Sequence, residues 1–222
     1  ATYVVRHVSS LKDTAMKRTS LMLLLLAGSF CMPAAAENKQ DACKILDLKR
    51  VSSQLNLNPQ SKEKQMAFLE AFPDSWEEFI AVYHHYDPLT GSYDRLYQQA
   101  PKHIESLKSL DQVDDARLIP HLVSLTYGSS WAADAPNYLQ EVLHELMAGK
   151  KDAFFAELSK RSKAAQFDFW AFYWSSPAKN GTDSPYEKEK KALESAMKDK
   201  YPQIVRALSL AYEYYYGEAM PL

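Results

Sequence analysis

The sequence predicts an all-α protein, a single domain of roughly eight to ten stacked antiparallel helices with no significant sheet. Apolar residues recur at three- and four-residue steps along most of the chain, which is the spacing that places them on one face of a helix. No segment alternates apolar and polar residues for long enough to favour a strand. The connectors between the helical segments are short, which favours antiparallel neighbours stacked as hairpins.

The first element, residues 16–36, has the three-part pattern of a secretory signal peptide. Lys17 and Arg18 give a positive start, an apolar run follows, and three alanines supply a cleavage site. The apolar run is roughly half the ~20 residues needed to span a bilayer, so we expect cleavage rather than anchoring. Residues 1–15 are then expected to be a non-native upstream extension, because a signal sequence normally opens its own chain, here at Met16.

Removal of this leader leaves residues 37–222 as the predicted helical domain. The whole chain has 26 basic and 28 acidic residues, and the leader with its extension contains four of the basic ones and one acidic one. The remaining 22 basic and 27 acidic residues give a net charge of −5. An acidic domain has no long-range attraction for nucleic-acid phosphate or anionic lipid, so we expect no nucleic-acid partner. After cleavage of the leader we also expect no stable membrane span. We expect a periplasmic or secreted location.

Cys43 is the only cysteine of residues 37–222. In an oxidising compartment its thiol is either buried, capped, or available for a disulfide between two chains. A dimer linked through Cys43 therefore stays open.

Serine, proline and glycine residues mark the predicted helix ends in the first half of the chain. The first helix covers 41–55, and a second starts at Ser61 and ends at Pro73. Ser75 and Glu78 have the spacing of a capping box and start a third. The rest of this half is predicted to contain a turn over 87–91, short helices around 96–97 and from Pro101, and a helix over 111–127 that is kinked or split at Pro120.

In the second half, Asp134 is predicted to cap a helix that Gly149 stops. The helix over 163–174 carries aromatic residues on every side, so we expect it to lie centrally in the fold. Further helices are predicted around 154–158, over 186–200 and over 202–217, with a polar loop at 175–185.

Candidate acid–base residues lie at His84, His85, Asp87 and Asp134, with Trp131 as a stacking platform for a ligand. Two adjacent residues of a helix point about 100° apart, so both imidazoles cannot bind one metal ion from a helix. A pair of histidines at a helix end, favoured by the helix dipole, is the simpler interpretation. Asp134 likewise has a structural interpretation as a helix cap.

Glu141 and His144 have the three-residue spacing found in di-iron helical bundles, but such a site needs the motif twice, and the chain has it once. We therefore expect an exposed polar pair. The chain has no G-x-S-x-G or H-E-x-x-H motif, and its six glycines form no phosphate-binding loop. The sequence predicts no cofactor and no metal site.

Tyrosines crowd the last predicted helix at positions 212, 214, 215 and 216. Tyr212, Tyr215 and Tyr216 share a face, while Tyr214 points away. Such residues either fill the edge of a core or, with one end in water, form an interface for a protein, peptide or sugar. They are the candidate binding residues, together with Trp131.

Four segments resemble an uncharacterised family of exported all-helical bacterial proteins: FPDSWEEF (72–79), YHHYDPLTGSYDRLY (83–97), KHI (102–104) and WAADAPNYL (131–139). The resemblance spans about 70–175 and implies an exported helical fold, with no known activity and no assigned catalytic residues. The chain departs from the family pattern at His84 and His85, where members tend to carry Tyr-Gly.

These observations leave two functional hypotheses. The first is an exported protein- or ligand-binding module, for example an immunity-type inhibitor of a toxin that acts in the periplasm. The alternative is a cell-envelope hydrolase or lyase whose site is assembled only in the fold, from His84, His85, Asp87 and Asp134. The sequence favours the first, because it contains no complete catalytic motif.

Overall fold

A computed structural model describes residues 34–83, 86–87, 91–93, 96–130, 134–175 and 186–217 of the protein. These residues form nine α-helices, two 3₁₀ turns and one minimal hairpin, so the all-α prediction is confirmed for the part of the chain described. The helices are α1 (Ala34–Leu57), α2 (Lys62–Ala71), α3 (Trp76–Tyr83), α4 (Ala100–Ser106), α5 (Asp115–Ser124), α6 (Asp134–Leu158), α7 (Lys163–Trp174), α8 (Glu187–Met197) and α9 (Pro202–Tyr216). The 3₁₀ turns are Tyr97–Gln99 and Leu107–Ser109.

The predicted extension (1–15) and the predicted leader (16–36) lie outside the described residues, except for the last three residues of the leader. Those three residues open α1, which therefore starts upstream of the predicted Asp41. The side chain of Cys43 also lies outside what the structure describes, so its bonding stays a prediction.

The only strands among the described residues are two residues long. β1 (Tyr86–Asp87) pairs antiparallel with β2 (Ser92–Tyr93), with Tyr86 opposite Tyr93. Gly91, in the connection, has φ of 66°, a left-handed conformation that glycine adopts without a steric penalty. A hairpin of this length cannot be stable by itself in water. It is a local turn in a helical fold.

Helix starts follow the signals in the sequence. The Ser61 hydroxyl accepts from the backbone N–H of Lys64 at 3.3 Å, as an N-cap should. Ser75 accepts from the N–H of Glu78 at 3.3 Å, and the Glu78 carboxylate accepts from the N–H of Asp74 at 3.1 Å. The reciprocal bonding of a capping box is thus present, shifted by one residue on its return arm.

Two predicted helix breaks turn out differently. α5 runs continuously through Pro120, so it is not split there. α6 does not end at Gly149; the chain leaves helical geometry at Lys150 (φ −126°, ψ 25°) and then resumes as a helix up to Leu158. The residues predicted as a separate helix around 154–158 are therefore the last turns of a kinked α6.

α7 is buried over its second half, as its aromatic residues predicted, whereas Lys163 and Ala164 in its first turn are exposed. Its buried side chains Phe169, Trp170, Tyr173 and Trp174 are fully shielded from solvent. Trp170 and Trp174 stack on each other with ring centroids 5.9 Å apart, and Trp170 meets Tyr173 edge to face at 5.3 Å. A helix that is apolar on all sides needs neighbours on several faces, and α7 packs on both α6 and α9.

α6 connects the two halves of the domain. It packs on α4 and α5 on one side and on α7 on the other, while α1 packs on α2 and α8 packs on α9. This arrangement brings residues of α6, α7, α8 and α9 together at the end of α7. None of the helices in the described part of the chain combines the length and apolar character that crossing a membrane requires.

Candidate functional site

The structure tests little of the predicted acid–base site. His84, His85 and Trp131 lie outside the described residues, and Asp87 is described only by its backbone, in β1. Asp134 is the first residue of α6; its side chain is exposed, and its carboxylate accepts a hydrogen bond from the Tyr97 hydroxyl. A catalytic role for this set stays a prediction.

Two of the three predicted binding tyrosines lie side by side at the end of α7. Tyr212 packs edge-on against the buried Trp174 at 5.6 Å, and its ring lies 5.0 Å from that of Tyr216. Tyr215 lies edge-on to Tyr214 at 5.1 Å, toward another side of α9. Tyr212 and Tyr216 belong to a larger set, which we call the aromatic cluster: His144, Tyr173, Trp174, Tyr186, Tyr212 and Tyr216.

Side chains in and beside this cluster provide hydrogen-bond partners for the last backbone carbonyl groups of α7. The last carbonyl groups of a helix have no partner within the helix, and here Tyr173 and Trp174 are buried away from water. The Gln140 amide donates to the Tyr173 carbonyl at 3.0 Å, and His144 Nε2 lies 3.1 Å from the same oxygen. The Tyr216 hydroxyl donates to the Trp174 carbonyl at 3.1 Å. Side chains of α6 and α9 therefore cap α7.

His144 is the polar centre of the cluster. Its Nδ1 lies 2.9 Å from the Glu189 carboxylate, and its ring stacks on Tyr186 with centroids 4.7 Å apart and planes at 9°. Glu189 also accepts a hydrogen bond from the Tyr173 hydroxyl. Because both ring nitrogens of His144 face oxygen acceptors, a protonated imidazole can donate to both at once.

The electrostatics favour an ionised Glu189. Burial alone would raise the pKa of its carboxyl, but hydrogen bonds from His144 and Tyr173 hold that pKa below its usual range. Burial, together with the Glu189 charge, raises the pKa of the Tyr173 hydroxyl, which stays protonated and donates. The site thus holds a fixed carboxylate and fixed donors. A carboxylate held in the ionised form is a poor general acid.

The outer side of the cluster reaches solvent. Tyr186, Tyr212 and Tyr216 are each only half-buried, so part of each ring lies at the surface. The Lys190 ammonium lies 5.2 Å from the centre of the Tyr212 ring and also pairs with Glu194 at 2.7 Å. The surface therefore offers aromatic faces, each with an apolar ring and a polar tip, bordered by a lysine and a carboxylate.

Sequence reasoning missed the polar residues of α6 and α8 that bond to the cluster and to the end of α7, namely Gln140, His144 and Glu189. Gln140 and His144 are four residues apart on α6 and so share one face, which was a readable signal. Their partners on α7 and α8 lie 29 to 45 residues away. The expected exposed pair at Glu141 and His144 is wrong for His144, which is largely shielded and bonded to Glu189, while Glu141 is exposed.

Comparison of the chain with protein-family models, with curated proteins and with solved structures finds no match in any of the three. The resemblance of segments within 70–175 to an exported helical family stays a prediction. Any function must therefore be argued from the residues of the site itself.

Proposed function

We propose that this protein is an exported, periplasmic binding protein that recognises a protein partner through the solvent-facing side of the aromatic cluster. The observation that supports the proposal is the placement of Tyr186, Tyr212 and Tyr216. Their half-buried rings surround the buried Trp174 and the His144–Glu189 pair. Tyrosine, with an apolar ring and a polar tip, is among the residues most enriched at protein interfaces.

The cluster is also rigid, which favours binding. Tyr216 is tied by its hydroxyl to the α7 backbone, and Tyr186 is held against the His144 ring. Ordering a mobile side chain at an interface costs about 0.5–1.5 kcal/mol, so rings that are already fixed lose less freedom on binding. A partner that meets this surface therefore gains contact area at a low entropic cost.

An immunity-type role is the most specific form of the proposal. In it, the exported domain occupies the active site of a toxin that acts in the periplasm. The net charge of −5 in residues 37–222 gives the domain long-range attraction for a basic partner. Many enzymes that act on anionic polymers are basic.

The binding test is a pull-down from periplasmic extract with the tagged full chain and two variants. Tyr212→Ala removes one ring of the surface, and we expect it to recover at least about tenfold less partner, as loss of an interface anchor does. Tyr201→Ala is the matched control, because Tyr201 is also half-buried but precedes α9, at the opposite end of that helix from Tyr212, and packs on Phe155. Circular dichroism checks that each variant is folded.

Two results would contradict the proposal. One is equal recovery of the partner by Tyr212→Ala and the wild type. The other is repeated failure of the wild type to recover any protein. Export is tested separately by cell fractionation and N-terminal sequencing: we expect the periplasmic protein to begin at Glu37, and an intact chain confined to the cytosol would refute export.

A further inference from the structure

A second surface lies on the other flank of α9, where α9 and α7 border an open groove of about 470 Å³. Its lining combines an apolar floor with polar and basic edges: Lys163, Gln166, Phe167, Gln203, Arg206, Ala207 and Leu210. The groove is separate from the aromatic cluster. On a helix with 100° between successive residues, Leu210 lies about 160° around α9 from Tyr212.

The groove continues along α9 as a row of residues. Gln203, Ala207, Leu210 and Tyr214 follow one another at steps of three and four residues, which places them in one line on the helix surface. From the first to the last, this row is about 16 Å long at 1.5 Å per residue. Tyr214 extends it past the groove and meets Phe167 of α7 edge to face at 6.3 Å.

This row exposes large apolar side chains. Leu210 is 49% exposed and Tyr214 is 68% exposed, and they are two of the four large hydrophobic residues that are exposed in the described part of the chain. The other two, Leu46 and Leu57, both lie on α1. Single exposed leucines are ordinary, but an aligned pair beside a groove is a candidate contact surface.

The charge at the groove indicates what it would bind. Every other arginine whose side chain the structure describes, namely Arg50, Arg117 and Arg161, lies within 4.0 Å of a carboxylate. Arg206 has no such partner among the described residues, and neither has Lys163 on the facing edge of the groove. Two cations without carboxylates beside an apolar floor complement a ligand that is both apolar and acidic.

We propose that this groove binds an amphipathic helix of a partner protein, with its apolar row against Phe167, Leu210 and Tyr214 and its acidic residues paired with Lys163 and Arg206. The geometry favours a helix over a small anionic amphiphile, because the row of residues that starts in the groove and ends at Tyr214 is about 16 Å long, which matches three turns of a helix. Helices that dock in this way use apolar anchors spaced as on α9 itself. The proposal is independent of the aromatic cluster.

The test uses the full chain and two designed helical peptides of about 14 residues, labelled for fluorescence anisotropy. Both carry the same apolar row, flanked by glutamates in one and by lysines in the other. We expect the acidic peptide to bind at least about tenfold more tightly than the basic one. The double variant Lys163→Glu, Arg206→Glu should reverse this preference, and Leu210→Asn should weaken binding of both peptides.

The controls separate this proposal from the other surface and from general charge effects. Lys102→Glu changes an exposed lysine on α4 and should leave the preference unchanged. Tyr212→Ala should also leave it unchanged, so a failure here is distinguishable from a failure of the aromatic cluster.

Equal affinity for the two peptides, no measurable binding of either, or an unchanged preference in the double variant would overturn the proposal. Displacement of the peptide by dodecanoate at equal concentration would assign the groove to a small amphiphile instead. Concentration-dependent sedimentation that Leu210→Asn abolishes would assign it to a second copy of this chain. Each of these two results would also overturn the proposal.

Discussion

Burial of His103 should make the stability of this protein fall in mild acid. The side chain lies on α4 with only 4% of its surface exposed, and its Nδ1 is 3.3 Å from the Tyr83 hydroxyl. Burial, assisted by the charges of Lys102 and Lys49, lowers the pKa of the His103 imidazole from 6.5 to about 4. The folded protein therefore keeps His103 neutral where the unfolded chain protonates it.

The sign and the size of the effect follow from this difference in pKa. Between about pH 6.5 and pH 4 the unfolded chain binds a proton at His103 that the folded protein does not bind, so unfolding is favoured as the pH falls. Above the pKa of the unfolded chain, His103 is neutral in both states and costs no stability. The free energy of unfolding then decreases as the pH falls to the pKa of the folded protein. At about 1.4 kcal/mol per pKa unit, the difference between 6.5 and about 4 gives a loss of about 3–4 kcal/mol at most.

The measurement is urea unfolding of the wild type and of His103→Gln across this range of pH. Glutamine does not titrate, and its amide can still accept a hydrogen bond from the Tyr83 hydroxyl. The other histidines are common to both proteins, so their titration cancels in the difference between the two free energies of unfolding. At neutral pH we expect the variant to be the less stable protein, by about 1 kcal/mol for the altered contact.

As the pH falls toward 4 the order of the two stabilities should reverse, because only the wild type loses stability by keeping His103 neutral. Two free-energy curves that stay parallel from neutral pH down to pH 4 would refute the reasoning. They would mean that His103 becomes protonated in the folded protein as easily as in the unfolded chain.

Two further predictions use matched pairs of residues in α7 and α8. Trp170 and Trp174 are both fully buried, but within the described part of the chain only the Trp174 indole N–H has a hydrogen-bond partner, the Leu208 carbonyl at 3.3 Å. Urea unfolding should therefore show Trp170→Phe to be less destabilising than Trp174→Phe by about 1 kcal/mol, and the opposite order would contradict this assignment. Glu189→Gln should destabilise the fold by about 1–3 kcal/mol. The half-buried carboxylate accepts from two donors, His144 and Tyr173, whereas the amide has one acceptor oxygen and turns its NH2 group toward the other donor. The exposed Glu187, paired with a lysine one turn on, is the control, and its replacement by Gln should cost less than about 0.5 kcal/mol. Because the pKa of Glu189 is lowered on folding, its contribution is present above pH 4.5 and is lost as the pH falls through its folded pKa, so the gap between wild type and Glu189→Gln should narrow in acid.

Much of the helical framework could be predicted from the sequence, because the interactions that start a helix join residues close together in the chain. The hydroxyl of Ser61 or Ser75 bonds a backbone N–H three residues away, so the signal and its partner lie in one short stretch. The burial of the second half of α7 could be predicted for a similar reason, since aromatic residues on several sides of a helix need several neighbours. Gly149 shows the limit of local signals: α6 continues past it to Leu158 and leaves helical geometry at Lys150 instead.

The sequence by itself determined the helical class, most helix starts and the burial of α7, because these depend on interactions within a few residues of the chain. It also pointed to Tyr212 and Tyr216 as members of a surface. Only the tertiary structure decided that Gln140 and His144 cap the end of α7, that Glu189 fixes His144, and that Phe167 and Leu210 border a groove. Those contacts join helices that are distant in sequence, and they depend on the angles and offsets at which the helices pack, which no local pattern of residues specifies.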